Sequence, residues 1–406
     1  MKARTRTTDV LELLCSGYYH HDLASALGEA ASDRIVDGSI PLAERWPDFA
    51  AGYRATRFTG YGISVRMAMR KLFGMEEPTL EALEQAQERL PDYGDEGAFE
   101  RILGDARIVA RISDRWPAAG DLFAGTYRPL ANQHLALSLP HLHGVRTRSD
   151  FTELEEAAGV VVTSLDEYLD LCDRYIAAGK AVGAVCLKDQ SAYGRSIAYT
   201  MPPRADAERV FNRILADPRY HAEYDPHGNL LSDYLMHELM RLARAYDLPV
   251  QVHTGHMAGV RNDVAKANAA HLRSLLEVHR DVRFDLFHAN WPYAADILFL
   301  AKNYPNVTID FCWTHIVDPV YACTTLVQAV SAVPHTKIHG FGSDVGGGQP
   351  HIAWAHAELA RDVIACALSD LVEMSYVSAA EAEQIARAWL FDNPNTFFRL
   401  GLPDPT

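Results

Sequence analysis

The feature that most constrains the fold is a change of rhythm near residue 105. Beyond it, short apolar runs rich in β-branched residues recur, each followed by an amphipathic stretch. They are ARIVARI from Ala106, HLALSLP from His134, VGAVCL from Val182, PVQVH from Pro249, VRFDLFH from Val282, NVTIDFC from Asn306 and KIHGFGSD from Lys337. Strands alternating with helices make a parallel sheet whose faces the helices cover. The expected helices include LDEYLDLCDRYIAAG, ADAERVFNRILAD, LSDYLMHELMRLARAYD, NAAHLRSLLEVHR, AADILFLAKNY and the long IAWAHAELARDVIACALSDLVEM. Two of them run into turn residues, at Tyr246-Asp247-Leu248-Pro249 and Tyr304-Pro305-Asn306, and Ser378 is placed to cap the last.

Before residue 105 the apolar residues recur at three- and four-residue spacing, in PLAERWPDFAAGY, GISVRMAMRKLFG and LEALEQAQERL, which predicts helices. With 406 residues the chain can hold a barrel of about 250 residues and an extra subdomain. The expected architecture is α/β: a (β/α)8-type TIM barrel over 106–406, with a helical N-terminal insertion over 1–105 packed on it. A closed barrel has eight strands, and the pattern supplies seven. The shortage falls at the first strand, which is expected to be incomplete or atypical, because the opening residues contain no apolar β run.

Lys and Arg number 38 against 53 Asp and Glu, and a formal charge of −15 repels phosphate backbones and anionic lipid surfaces. Nucleic acid and membrane partners are therefore not expected. The six cysteines stand singly, mostly in apolar runs and without a C-x-x-C pair, so they read as buried free thiols of a reducing compartment. No run approaches the roughly 18 apolar residues of a membrane span, and the opening MKARTRTTDVLELLCSG lacks a signal-peptide core. A cytoplasmic location is expected.

Ionisable residues close several of the predicted strands: Lys188 after VGAVCL, His253 ending PVQVH, His288 ending VRFDLF and Asp344 ending KIHGFGS. Barrel strands present these ends to one face, so residues distant in sequence converge there. Imidazole and carboxylate are ligands for zinc and similar divalent metals, with manganese and iron as alternatives. Such a metal lowers the pKa of its water, and Asp344 is the candidate both to bind it and to take the proton. His288 and His256 are further candidates for catalytic roles. Tyr193, Arg195, Trp313 and Tyr61 are candidates to line a substrate pocket, Arg195 by pairing with a substrate carboxylate. His20 and His21, in YYHHD, are further candidate ligands, of which adjacent side chains would normally send only one into a site. The glycine run at 346–348 lacks dinucleotide-binding spacing and reads as an active-site loop.

Taken together, HHDLASALG with the following ERWPDFAAGYRATRFTGYGISVRMAMRKLFG, then LKDQSAYGRSIAY, QVHTGH, LFHANWPYAAD, NYPNVTIDFCW and FGSDVG make the chain resemble the amidohydrolase superfamily, in the branch related to uronate isomerases. The resemblance implies that His253, His288 and Asp344 are the family's fifth-strand, sixth-strand and eighth-strand ligands. Lys188 falls where this branch carries a fourth-strand Lys, which is carboxylated in relatives with two metals. The family's first-strand H-x-H is absent. Either the recorded start is late, or His20 or His21 substitutes, or the site works with ligands from later strands alone.

The resemblance implies a metal-dependent hydrolase acting on an amide, ester or other C–N bond of a small, polar, carboxylated substrate. Alternatives are an aldose-ketose isomerase of uronate type, a non-hydrolytic decarboxylase, and a degenerate metal-free barrel that only binds. A homo-oligomer is expected, since barrels of this kind commonly associate and a missing strand leaves a sheet edge to cover.

Overall fold

A computed structural model of the chain describes residues 8–15, 17–114, 117–130, 132–346 and 349–404. The segment before residue 106 is helical throughout its described part, with helices at Val10–Cys15, Tyr19–Leu27, Glu29–Val36, Leu42–Thr56, Gly60–Phe73, Leu80–Gln87 and Glu96–Asp105. The helix Gly60–Phe73 shows why the local sequence folds as it does. The Thr59 hydroxyl accepts the Gly62 N–H at its start, and Gly74 adopts a left-handed conformation at its end. A Cβ at Gly60 would lie 2.0 Å from the Ile316 carbonyl oxygen, so only glycine lets this helix seat its first turn on the barrel. That seating puts Tyr61 against Trp313, with ring centroids 6.3 Å apart. Arg45, fully buried, is tied to Asp9 and the Ile35 carbonyl, which locks the helix Leu42–Thr56 to the first one.

Seven strands form one parallel sheet in sequence order: β1 (Arg111–Asp114), β2 (Gln133–Ser138), β3 (Ala184–Asp189), β4 (Val250–His253), β5 (Phe284–Phe287), β6 (Val307–Asp310) and β7 (Ile338–His339). Each overlaps one of the seven runs expected from sequence, with β1 and β3 running two residues past the end of theirs and β2 starting one residue before. Among the described residues β1 and β7 have no strand on their outer sides, so the sheet is an incomplete (β/α) barrel that curls without closing. The central strands β4, β5 and β6 are buried at every position, as parallel strands covered on both faces must be.

The two-residue pleat sends Val250 and Val252 to one face of β4 and Gln251 and His253 to the other. Register then aligns Ser138, Lys188, Gln251, Asp285 and Thr308 across β2 to β6. Inside this row Asp285 accepts hydrogen bonds from Gln251 Nε2 at 3.2 Å, Thr308 Oγ1 at 2.9 Å and His339 Nδ1 at 2.9 Å. The rings of Phe397 and Phe398 lie 4.9 and 5.4 Å from His339, and Phe398 also packs on Ala136 and Cys186. The C-terminal segment thus plugs the interior.

Several elements depart from expectation. The run KIHGFGSD contributes only Ile338–His339 to the ladder, because Gly340 turns to donate to the Trp389 carbonyl instead. NAAHLRSLLEVHR breaks into a 3-10 turn at Ala269–Leu272 and a short helix at Arg273–Val278. The terminal helix starts at Ser378 with a reciprocal cap to Glu381, as its sequence predicts, but passes through a π turn at Ala388–Asp392 before Pro394. Four cysteines are buried thiols, whereas Cys323 is half-buried and Cys366 exposed, because helices covering the sheet turn one face outward.

Candidate metal and active site

His253 is the last residue of β4, and His288 follows β5 directly in a turn where His288, Ala289 and Asn290 all have positive φ. The turn swings the His288 ring toward His253. His253 Nε2 lies 2.7 Å from the His256 carbonyl oxygen, and His288 Nδ1 lies 2.8 Å from the Cys312 carbonyl oxygen. A carbonyl only accepts, so both of these ring nitrogens carry the proton. Burial, followed by the Lys188 charge, pulls His253 down to about 3, and burial followed by the His253 charge holds His288 well below the ordinary histidine value. Both rings are therefore neutral near pH 7. Their remaining nitrogens, His253 Nδ1 and His288 Nε2, are lone pairs facing each other at 3.1 Å. Two acceptors in that position repel unless a cation lies between or beside them, and a backbone carbonyl fixing the far nitrogen is the usual support of a metal-binding imidazole.

Lys188 projects from β3 beneath this pair, buried, with no hydrogen-bond partner for its ammonium and with Nζ 3.2 Å from the Phe287 ring centroid. Asp344 is half-buried beyond β7 with φ +51°. Burial raises its carboxyl, partly opposed by Lys188 and by Tyr18, whose hydroxyl donates to Oδ2 at 2.6 Å. Asp344 is not drawn in as a third donor beside the two imidazoles. Among the described residues, the groups of three donors that approach within 4.8 Å of one another are Asp285, Asp310 and His339 inside the barrel and Cys323, Cys366 and Asp370 on the outside. In the interior group burial raises both carboxyls. On Asp285 the His339, Thr308 and Gln251 contacts outweigh it, while the Asp285 charge drives Asp310 well above the ordinary value.

Above the imidazoles lies an aromatic cluster centred on Trp313, which is fully buried with φ +64°. Its ring centroid is 4.4 Å from Tyr18, 5.0 Å from His256 and 5.3 Å from His288. The Tyr61 hydroxyl and the Trp313 indole N–H are both buried without a well-formed hydrogen bond. Tyr193, 46% exposed, sets its ring edge 5.0 Å from His253 and accepts the Ala258 N–H, forming the rim. His21 Nδ1 accepts the Gly259 N–H at 3.2 Å, and burial with the His20 and His256 charges lowers this histidine to about 4. The His20 ring is tilted against that of His21, with centroids 3.9 Å apart, and keeps a buried Nδ1 without a partner. His256 is held near 4 by burial.

Arg195 pairs through Nη2 with Asp233, its guanidinium carbon lies 4.9 Å from the Tyr199 ring centroid, and Nη1 is buried without a partner. The run at 346–348 is described only at Gly346; Gly347 and Gly348 lie outside the described residues. Residues the sequence reading passed over are Tyr18 and the interior trio. Tyr18 sits in the conspicuous YYHHD segment, where the histidines drew attention from the hydroxyl. Asp310 closes the run NVTID and was open to the same strand-end logic that found His253.

The amidohydrolase family profile matches residues 138–400. Among curated proteins, fluG of Emericella nidulans is 29% identical over 182 residues, which is 43% of this chain, and the chain spans only 21% of that protein's length. Among solved structures, glucuronate isomerase from Caulobacter crescentus superposes with a TM-score of 0.76 at 18% identity, covering 99% of this chain and 89% of that one. A metal-dependent hydrolase from Lactobacillus casei superposes with a TM-score of 0.64 at 17% identity, covering 90% and 88%. At these identities the structural likeness establishes the barrel fold.

Proposed function

The chain belongs to the amidohydrolase family, and from that premise we propose that it is a metal-dependent hydrolase of an amide, ester or other C–N bond in a small, carboxylated molecule. One observation carries this reading: the opposed lone pairs of His253 Nδ1 and His288 Nε2, 3.1 Å apart, with both far nitrogens fixed by carbonyls. In this reading they hold a divalent cation, zinc first and manganese or iron as alternatives, with Asp344 as the carboxylate to complete the set. When bound, such a cation supplies a Lewis acid and lowers the pKa of water.

The remaining roles fall to this chain's own atoms. Asp344, with Oδ2 held by Tyr18, receives a proton on its other oxygen. His256, neutral near pH 7, donates a hydrogen bond to the polarised group of the substrate. Lys188 brings an unpartnered buried positive charge, which a substrate carboxylate would neutralise. Tyr18, Tyr61, Trp313 and Tyr193 exclude water and bound the pocket. The helices before residue 106 act as a separate unit that delivers Tyr18, His20, His21 and Tyr61 to the barrel.

Aldose-ketose isomerisation of a uronate-like sugar acid is the second reading, supported by the likeness over 99% of the chain to a glucuronate isomerase. Two measurements separate the readings. Metal analysis of the purified protein is expected to give one or two equivalents of transition metal per chain, lost in His253→Ala. Turnover in heavy-oxygen water is expected to label the product. An unlabelled product with deuterium on carbon after turnover in D2O would establish isomerisation. A wild type without metal, and without activity on adding any, would overturn both and leave a binding barrel.

A further inference from the structure

Cys323 and Cys366 stand 43 residues apart in sequence, on the adjacent helices Pro319–Ala332 and Pro350–Glu373. Their sulfurs are 3.5 Å apart, with the Cys323 thiol directed at Cys366, and the pair lies on the outer surface, Cys366 exposed and Cys323 half-buried. The other four thiols are buried. A disulfide needs an S–S distance of about 2.05 Å, so the sulfurs must close by about 1.5 Å to bond. We propose that this pair is a reversible redox site, closing to a disulfide that staples the two helices when the protein meets hydrogen peroxide or an organic hydroperoxide.

The chemistry divides by exposure. Cys366 meets the oxidant: its sulfur attacks the peroxide oxygen, giving a sulfenic acid and one molecule of water. The Cys323 sulfur then displaces the sulfenic hydroxyl, forming the S–S bond and a second water. Two thiols and one hydrogen peroxide become one disulfide and two waters. Burial, then the hydrogen bond to Cys366, pushes the Cys323 thiol up to about 12, which slows its attack on the sulfenic sulfur. Asp370 places a carboxylate within 4.8 Å of both sulfurs, and its charge adds to the rise of the Cys323 thiol, so closure is slow and requires sustained oxidant.

The staple would reach the candidate site through the helix ends. Asp318, capping the first helix, accepts the Trp291 indole N–H, while His356 on the second donates to the Ser343 carbonyl beside Asp344.

The test is thiol counting and peptide mapping on the full-length protein. After treatment with hydrogen peroxide, two native-accessible thiols should disappear together, with a mass lower by two hydrogen atoms, a Cys323–Cys366 linked peptide and full reversal by dithiothreitol. Asp370→Asn should accelerate closure several-fold, and Cys323→Ser should stop at Cys366 sulfenic acid. Retention of both thiols would overturn the proposal. So would oxidation of Cys366 to sulfinic acid or to interchain dimers with Cys323 still free. One equivalent of zinc that blocks both thiols and survives dialysis would overturn it too, in favour of a cation site using Asp370.

Discussion

Tyr18 reaches across 326 residues to Asp344, and its hydroxyl joins the Lys188 charge in acting on that carboxylate. The hydrogen bond favours the ionised form, opposing the burial that raises the group. Tyr18→Phe should therefore move the acid limb of the pH–rate profile to higher pH and lower turnover by about tenfold, the worth of one hydrogen bond to a charged group. A profile unchanged in both position and height would remove Tyr18 from the machinery. The same contact explains a limit of sequence reading. Strand-terminal histidines are visible because the residue type and its place at the end of an apolar run coincide. The partner of Asp344 is not visible, since no spacing links residues 18 and 344. The Arg195–Asp233 pair is hidden for the same reason.

At the scale of the element, the seven strands were legible as short apolar runs, because strands such as β4, β5 and β6 are buried at every position. Their inward residues were less so. Gln251, Asp285 and Thr308 look like polar interruptions until register lines them into one hydrogen-bonded row. Helices were legible in kind but not in extent, since the turn at Ala269–Leu272 and the π turn at Ala388–Asp392 answer to packing rather than propensity. The seating of Gly60 on the Ile316 carbonyl yields a prediction at this scale. In Gly60→Ala the added methyl group meets that oxygen, and the helix must lift. A loss of about 1–3 kcal/mol in chemical denaturation is expected, as for overpacking elsewhere. Because Tyr61 moves with the helix, KM should rise as well. Unchanged stability would mean that the junction yields without cost.

For the whole molecule, the number of buried neutral histidines governs the response to acid. His315, His351 and His356 are fully buried and pulled to about 4 by burial, alongside His253 at about 3. Their folded values lie below the unfolded 6.5, so as pH falls the unfolded chain takes up protons that the folded chain refuses. Stability is then lost from about pH 6.5 down toward 4, at up to ~1.4 kcal/mol per pH unit for each such group. Melting temperature should drop through that window. A melting temperature level between pH 7 and 5 would contradict the burial of these rings. The sheet's outer strands make a second whole-molecule prediction: β1 amides should exchange with deuterium faster than those of β3 to β5, each of which has a strand on both sides.

A closed barrel behaves mechanically as a hoop, in which displacing any strand stretches every neighbour around the ring. A sheet whose first and last strands do not meet, as among the described residues here, behaves as a bent leaf spring. Its ends can flex outward while the middle holds its curvature. The facing imidazoles sit at β4 and just beyond β5, near the middle, whereas Asp344 hangs from the β7 end. Flexure of the free end would therefore change the distance between the carboxylate and the imidazole pair without disturbing the pair itself.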